Sequence, residues 1–329
     1  MDTFETLFTR VTAEIFSPIT AAYALAAIGL NIHFGLTGLL NMGQAGFMLM
    51  GAYGFAITTI AGWPLWASVL AAVGSAVVFA VILGIPTLKL RGDYLAIATI
   101  AAAEIVRLVG RSTALTDVTG ASNGLLGNAF KHTFIGASPF GEGRLTIGLW
   151  TYAISASNSW WLRLVGWLLV ALAALLVWRL VTSPWGRVLK GIREDEDAVR
   201  SLGKNVFAYK MQALILGGVM GALGGIIFVL PQAVQPDSLG RPVTFYVWTI
   251  LILGGAATVL GPVLGAVLFW VSLSLITNVM EMVVPSSFMT DPQIENFGWV
   301  IVGVTLMVLI IFRPQGILGD RKELAIDVR

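Results

Sequence analysis

The chain has 329 residues, of which 57% are hydrophobic and only 12% charged, with a formal net charge of +2 and a mean hydropathy of +0.85. Soluble domains carry about 25% charged residues, so this composition excludes a soluble enzyme. It equally excludes disorder, which needs low hydrophobicity and high net charge, and its small, diluted charge excludes a nucleic-acid binder. There is no Cys, and His33 and His132 are the whole histidine complement. Disulfides, thiolate chemistry and His-rich metal sites are therefore excluded, and neither metal nor cofactor is expected. The chain reads as an all-α integral membrane protein.

The first segment, Met1 to Glu14, sets Asp2, Glu5 and Glu14 against Arg10. It lacks the basic start of a cleavable signal peptide. Between Glu14 and Lys89 no charged residue occurs. At about 1.5 Å per residue this window crosses the hydrocarbon layer three times. The predicted spans are Ile19–His33, Leu39–Ile60 and Leu65–Leu88, with breaks at Phe34–Gly38 and Gly62-Trp63-Pro64. A fourth span, Tyr94–Val109, contains Glu104 and Arg107, an i, i+3 ion pair on one helical face. A polar stretch, 110–158, follows, in which Leu145–Ile154 is too short to span. The fifth span is Trp160–Val181, then comes a charged loop, 183–210, and a sixth span, Met211–Leu230. The window Pro242–Met280 divides at the Gly-rich run Gly254–Pro262, and Phe297–Phe312 precedes a charged tail, 313–329. The result is one polytopic helix bundle with about nine crossings, one either way.

Lys and Arg set the orientation. The 183–210 loop holds Arg187, Lys190, Arg193, Arg200, Lys204 and Lys210, and the tail holds Arg313, Arg321, Lys322 and Arg329. Pro231–Arg241 holds only Arg241, and Pro285–Asn296 holds none. The 183–210 loop and the C-terminus are expected in the cytoplasm of a bacterial inner-membrane protein. The 110–158 segment is expected outside, and so, by the same count, is the N-terminus. Several Trp, including Trp63, Trp66, Trp150, Trp160 and Trp161, fall near proposed interfaces, where aromatic belts belong.

Within the charged loop, apolar Ile192, Val199 and Leu202 recur among the charges, and Glu194–Leu202 is expected to form an amphipathic helix stopped by Gly203. The run Gly191-Ile192-Arg193-Glu194-Asp195-Glu196-x-Ala198, then Leu202-Gly203-Lys204-Asn205, resembles the coupling loop of branched-chain amino acid ABC permeases of the LivM type. Asn31, Gly35, Gly38, Asn41, Gly43, Gln44, Ala45 and Gly46 resemble that family's start, and Leu88–Thr99 its central signature. Ile252–Gly255 with Gly261-Pro262 resembles a later Gly-rich segment, and Arg313–Gly319 the family's C-terminal end.

The resemblance implies a permease half without enzymatic activity. It implies as partners a second homologous permease subunit, two ATP-binding cassette subunits and an extracytoplasmic substrate-binding protein, with membrane lipid around them. It assigns ATPase coupling to Arg193, Glu194, Asp195, Glu196, Ala198 and Gly203. The chain carries no Gly-x-x-x-x-Gly-Lys-Ser/Thr loop, so ATP would bind elsewhere.

Asn31, Asn41 and Gln44, with Gly43 and Gly46, lie in an apolar, Gly-dense stretch. Polar groups at membrane depth need partners or a wet cavity, so a broken helix beside a translocation path and interhelical hydrogen bonding are both open readings. His33 is expected to bond a backbone carbonyl. Gly217, Gly218, Gly221, Gly224 and Gly225 lie three and four apart, the spacing of close helix packing. Two rivals are weaker. An ion-coupled transporter needs mid-membrane carboxylates, and an intramembrane enzyme needs clustered titratable groups. Within the resemblance, the small-molecule substrate stays open among branched-chain or related amino acids, urea and short amides.

Overall fold

The computed structural model describes residues 3–90, 92–141, 143–155, 159–283, 291–312 and 315–319. In chain order, α1 (Thr3–Ala13) leads through a 3-10 turn into α2 (Pro18–Leu30). Ser17 caps α2 by accepting from the Ile19 amide, and Pro18 occupies the first turn, where a missing N–H costs nothing. α2 passes into a π turn, Asn31–Leu36. Then follow α3 (Gln44–Ile60), α4 (Leu65–Thr87) and α5 (Gly92–Gly110). Two short helices, α6 (Thr116–Thr119) and α7 (Lys131–Gly136), and a hairpin of β1 (Arg144–Ile147) and β2 (Trp150–Ala153) make up the polar segment. α8 (Trp160–Thr182), α9 (Pro184–Glu194), α10 (Glu196–Ser201) and α11 (Val206–Val229) come next. α12 (Arg241–Gly254), α13 (Gly261–Val283) and α14 (Asp291–Phe312) end the bundle.

Five helices among the described residues are long and apolar enough to cross a membrane: 18–36, 65–87, 160–182, 206–229 and 261–283. With α3, α5, α12 and α14 the long helices number nine. α3 has 17 residues and α12 only 14, about 25 and 21 Å of helix. Both fall short of the roughly 30 Å hydrocarbon layer, and each abuts a Gly-rich break.

α2 is the central helix, buried along nearly its whole length, and α11 packs on both α2 and α3. Glycine makes this approach possible. A Cβ on Gly225 would strike the Met48 backbone of α3, and one on Gly224 the Ala22 carbonyl of α2. Large apolar side chains such as Leu70, Val78, Ile82 and Ile97 stay exposed on α4 and α5, as a lipid-facing or subunit-facing surface requires.

The helix predicted from Glu194 to Leu202 is the shorter α10, Glu196–Ser201, and the chain breaks between it and α9. Asp195 makes the break with an extended backbone (φ −154°, ψ 104°) and caps α10 by accepting from the amides of Asp197 and Ala198 at 2.9 and 3.0 Å. An N-cap Asp satisfies amides that a continuous helix would bond otherwise. Gly203, at φ +75°, ends the unit as expected. Ile192 and Val199 are buried, while Leu202 is 79% exposed. The Leu145–Ile154 stretch is the hairpin, turned at Gly148 with φ +62°. Trp150 donates to the Thr9 carbonyl at 3.3 Å and Arg10 lies 3.8 Å from Glu281 at the end of α13, so α1 shares the hairpin's side of the bundle. Arg91, Asn158, 285–290, Arg313, Pro314, Arg321, Lys322 and Arg329 lie outside the described residues.

Candidate transport site at two helix breaks

The first break begins where α2 widens into the π turn. Thr37 follows this spacing, donating its hydroxyl to the Ile32 carbonyl five residues back at 2.9 Å. Gly38 then turns the chain with φ +75°, a conformation open to glycine at little cost. The following loop has no regular structure before Gln44, so its backbone groups need other partners. Thr99 on α5 accepts from the Met42 amide at 2.9 Å. Thr244 on α12 accepts from the Ala45 amide at 3.0 Å, and Trp248 donates to the Asn41 carbonyl at 3.0 Å. Two helices, α5 and α12, thus hold the loop.

The amides predicted from the sequence complete this satisfaction from inside. Asn41 accepts from the Gly43 amide at 2.8 Å, and its Nδ2 reaches His33 Nδ1 at 3.0 Å and Gln44 Oε1 at 3.2 Å. His33 Nε2 lies 3.1 Å from the Leu214 carbonyl. A carbonyl only accepts, so Nε2 carries the proton and Nδ1 accepts from Asn41. Gln44 donates to the Ala26 and Gly217 carbonyls at 3.1 and 3.3 Å. His33 and Gln44 have no exposed surface, and Asn31 and Asn41 only 1%. In this conformation these side chains point into the protein and bond its backbone, not toward an open cavity. Gly43 and Gly46 lie flat against α5, where an added Cβ would meet the Thr99 and Ala103 backbones.

The second break joins α12 to α13. Gly255 adopts φ +113° and Ala257 φ +64°. Asn31 clamps this turn to the first break, accepting from the Ala257 amide at 2.8 Å and donating to the Thr258 carbonyl at 2.7 Å. The described C-terminal residues seal it: the Ile317 and Leu318 amides each bond 3.0 Å to the carbonyls of Leu253 and Gly254.

Beside the first break lies a network of charges. Arg107 bonds Glu104 at 2.5 Å and also Asp237. Arg241 lies 3.5 Å from Glu104, and Arg111 lies 3.6 Å from Asp237. Thr99 and Glu104 sit about 10 and 18 Å along α5 from its start, so the network begins within the span. A crevice lined by Met42, Ala45, Glu104, Arg107, Arg241 and Thr244 connects it to the break. Its free volume is about 10 Å³, roughly the room of one water.

The sequence reading found Asn31, Asn41, Gln44 and the Glu104–Arg107 pair. It missed Thr99, Thr244 and Trp248, because single polar groups on apolar helices carry no pattern. It also missed Asp237 and Arg241 as partners of that pair, although they are the sole charges between Lys210 and Glu281. The predicted coupling residues fall into two groups. Glu194, Asp195 and Ala198 are exposed, with Gly203 beyond them, whereas Arg193 turns inward to the first break at Gly35. Glu196 pairs with Arg200 at 2.8 Å and with Lys210.

A polytopic α-helical bundle with paired helix breaks fits a membrane transporter subunit. Residues 15–311 match the family of branched-chain amino acid transport system permease components, and the chain belongs to that family. It is 32% identical over 321 residues to the high-affinity branched-chain amino acid permease protein LivM of Escherichia coli, covering 95% of this chain and 71% of that one. The LivM protein of Salmonella typhimurium is 33% identical over 315 residues, covering 91% and 68%. A probable LivM of Methanocaldococcus jannaschii is 24% identical over 242 residues, covering 63% and 64%.

Proposed function

We propose that this permease imports branched-chain or closely related small amino acids as one half of a translocation channel, with ATP hydrolysed in partner subunits. The observation that carries the substrate class is the 32% and 33% identity, across more than nine-tenths of the chain, to relatives named for branched-chain amino acids. The partners proposed are a second homologous permease subunit, two ATPase subunits and an extracytoplasmic binding protein. The decisive experiment purifies the assembled complex with its binding protein and measures ATP hydrolysis with leucine, isoleucine, valine, urea and acetamide. Stimulation by the branched-chain amino acids is expected. Stimulation by urea or acetamide alone would replace them as substrate.

The proposed pathway runs along the crevice between the first break and the Glu104–Arg107–Arg241 network. A bare zwitterion in hydrocarbon loses its water shell at a cost of several kcal/mol or more per group, so the path must offer polar partners. The crevice is too narrow for an amino acid as it stands, and transport would therefore require α3, α5 and α12 to separate. In this reading Asn41, Gln44, Gly43 and Gly46 form the support of the wall, and Asn31 keeps the two breaks moving together. Half-helix starts at Gln44 and Arg241 favour a substrate carboxylate.

The proposed orientation places the hairpin segment outside and α9–α10 in the cytoplasm, with the C-terminus on the cytoplasmic side of the inner membrane. The absence of native Cys makes single introduced Cys residues clean reporters. On intact cells an impermeant thiol reagent is expected to label Ser138→Cys and not Ser201→Cys. The reverse pattern would invert the topology.

A further inference from the structure

The resemblance assigns Arg193 to ATPase coupling, and its geometry points inward, to the first break. It sits one residue before the end of α9, and its side chain is only 15% exposed. Its Nη1 donates to the Gly35 carbonyl at 2.6 Å. Its Nε and Nη2 both bond Glu194 Oε1, at 3.0 and 2.8 Å, so the guanidinium is held from both sides. The stem lies over Gly38, where an added Cβ would come within 3.2 Å of Arg193 Cγ.

Gly35 is where the two breaks meet. It belongs to the π turn, and a Cβ there would come within 2.6 Å of the Ala257 amide nitrogen in the second break and would also strike Asn31 Oδ1. A carbonyl near the end of a helical segment lacks a full intrahelical partner and carries partial negative charge. A guanidinium is the side chain best suited to hold such a carbonyl while its other nitrogens engage a carboxylate.

We propose that Arg193 is a positioning residue that couples the cytoplasmic helices to both breaks, so that displacement of α9 and α10 is delivered to Gly35 and, through Asn31 and Ala257, to α12 and α13. This rests on the reading that α9 and α10 receive the ATPase subunits. The exposed face, with Glu194, Asp195, Ala198 and Leu202, would meet those subunits. Arg193 would not touch them, and it would transmit their movement inward. An element that transmits between sites must have contacts that both sites bias, and this side chain is carried by α9, pairs with its α9 neighbour Glu194 and bonds the π turn.

The test uses the assembled complex in proteoliposomes, measuring ATP hydrolysis and leucine uptake in the same vesicles. Arg193→Met keeps the apolar stem and removes the donors. It is expected to keep the ATPase subunits bound and hydrolysing, with uptake per ATP lower by about tenfold, within the range usual for coupling between sites. Arg193→Lys restores one donor to the carbonyl and is expected to recover uptake per ATP to within about threefold of wild type. A fold defect would lower both activities together and leave their ratio unchanged. Should Arg193→Met fail to insert, Arg193→Gln is read by the same ratio. Wild-type uptake per ATP in the donor-less variant would overturn the proposal. So would release of the ATPase subunits, which would place Arg193 in their contact. Leu202→Asp separates this from the underlying reading: if it leaves the ATPase subunits bound and transport unchanged, α9–α10 is not the docking unit at all.

Discussion

Asn41→Leu is expected to cost this permease more than any other single change considered. The side chain accepts from the Gly43 amide and donates to His33 and Gln44, and all of these lie in the interior. Leucine orphans the Gly43 N–H, the His33 Nδ1 lone pair and the Gln44 carbonyl oxygen together. Each buried group left without a partner costs about 1–3 kcal/mol, and interhelical bonds in membranes run nearer 0.6 kcal/mol because the alternatives also find partners. Even at the low end, three losses come to about 2 kcal/mol, a noticeable share of a stability of about 5–15 kcal/mol. The expected result is a lower thermal midpoint in detergent and uptake about tenfold below wild type or less, normalised to assembled complex. Gln44→Leu is expected to be milder. The Ala26 and Gly217 carbonyls that Gln44 contacts lie inside α2 and α11, where intrahelical donors remain. Val78, 56% exposed on α4, serves as the control position and should tolerate Val78→Leu. Wild-type stability and uptake for both amide variants would show that neither the break nor its support depends on these side chains.

Simultaneous Glu194→Ala and Asp195→Ala is expected to abolish transport while membrane insertion stays intact. The reason is position, not bulk stability. Glu194 is 64% exposed and its pair with Arg193 is of the surface kind, worth about 0–1 kcal/mol. Asp195 contributes an N-cap of about 1 kcal/mol to a six-residue helix, too little to unfold the bundle. Yet the cap sets the angle between α9 and α10, and Glu194 steadies the guanidinium that reaches Gly35. Removing both should leave two helices that no longer move as one. Asp195→Asn keeps an N-cap acceptor and is expected to retain most transport, which separates the cap from the charge. Unchanged transport in the double variant would remove these residues from coupling altogether.

Much of the bundle was legible along the chain, because in lipid a span must be apolar and its ends are marked by charge, Gly or Pro. The windows Leu65–Leu88 and Trp160–Val181 lie within a residue of α4 and α8 for that reason. Span ends held less well where a helix stops inside the bundle: α3 begins at Gln44, five residues after the Leu39 expected. The window Pro242–Met280 divides at its Gly-rich run, as expected: α12 ends at Gly254 and α13 begins at Gly261. That this run meets the first break through Asn31 was not readable, since the two are 226 residues apart and one Asn shows nothing of its partner.

Composition, the absence of Cys and the spacing of charges determined by themselves that this protein is a polytopic α-helical membrane protein with a basic loop rich in recognisable motif residues. These are properties of solvent transfer and local hydrogen bonding, which act on each segment wherever it ends up. Only the tertiary structure decided that α2 and α11 form the centre, that Asn41 and Gln44 turn inward, that Asp195 splits the loop into two helices, and that Arg193 reaches the π turn. Each depends on which buried backbone group lacks a partner after the helices have packed, and that is set by the three-dimensional contacts among distant segments.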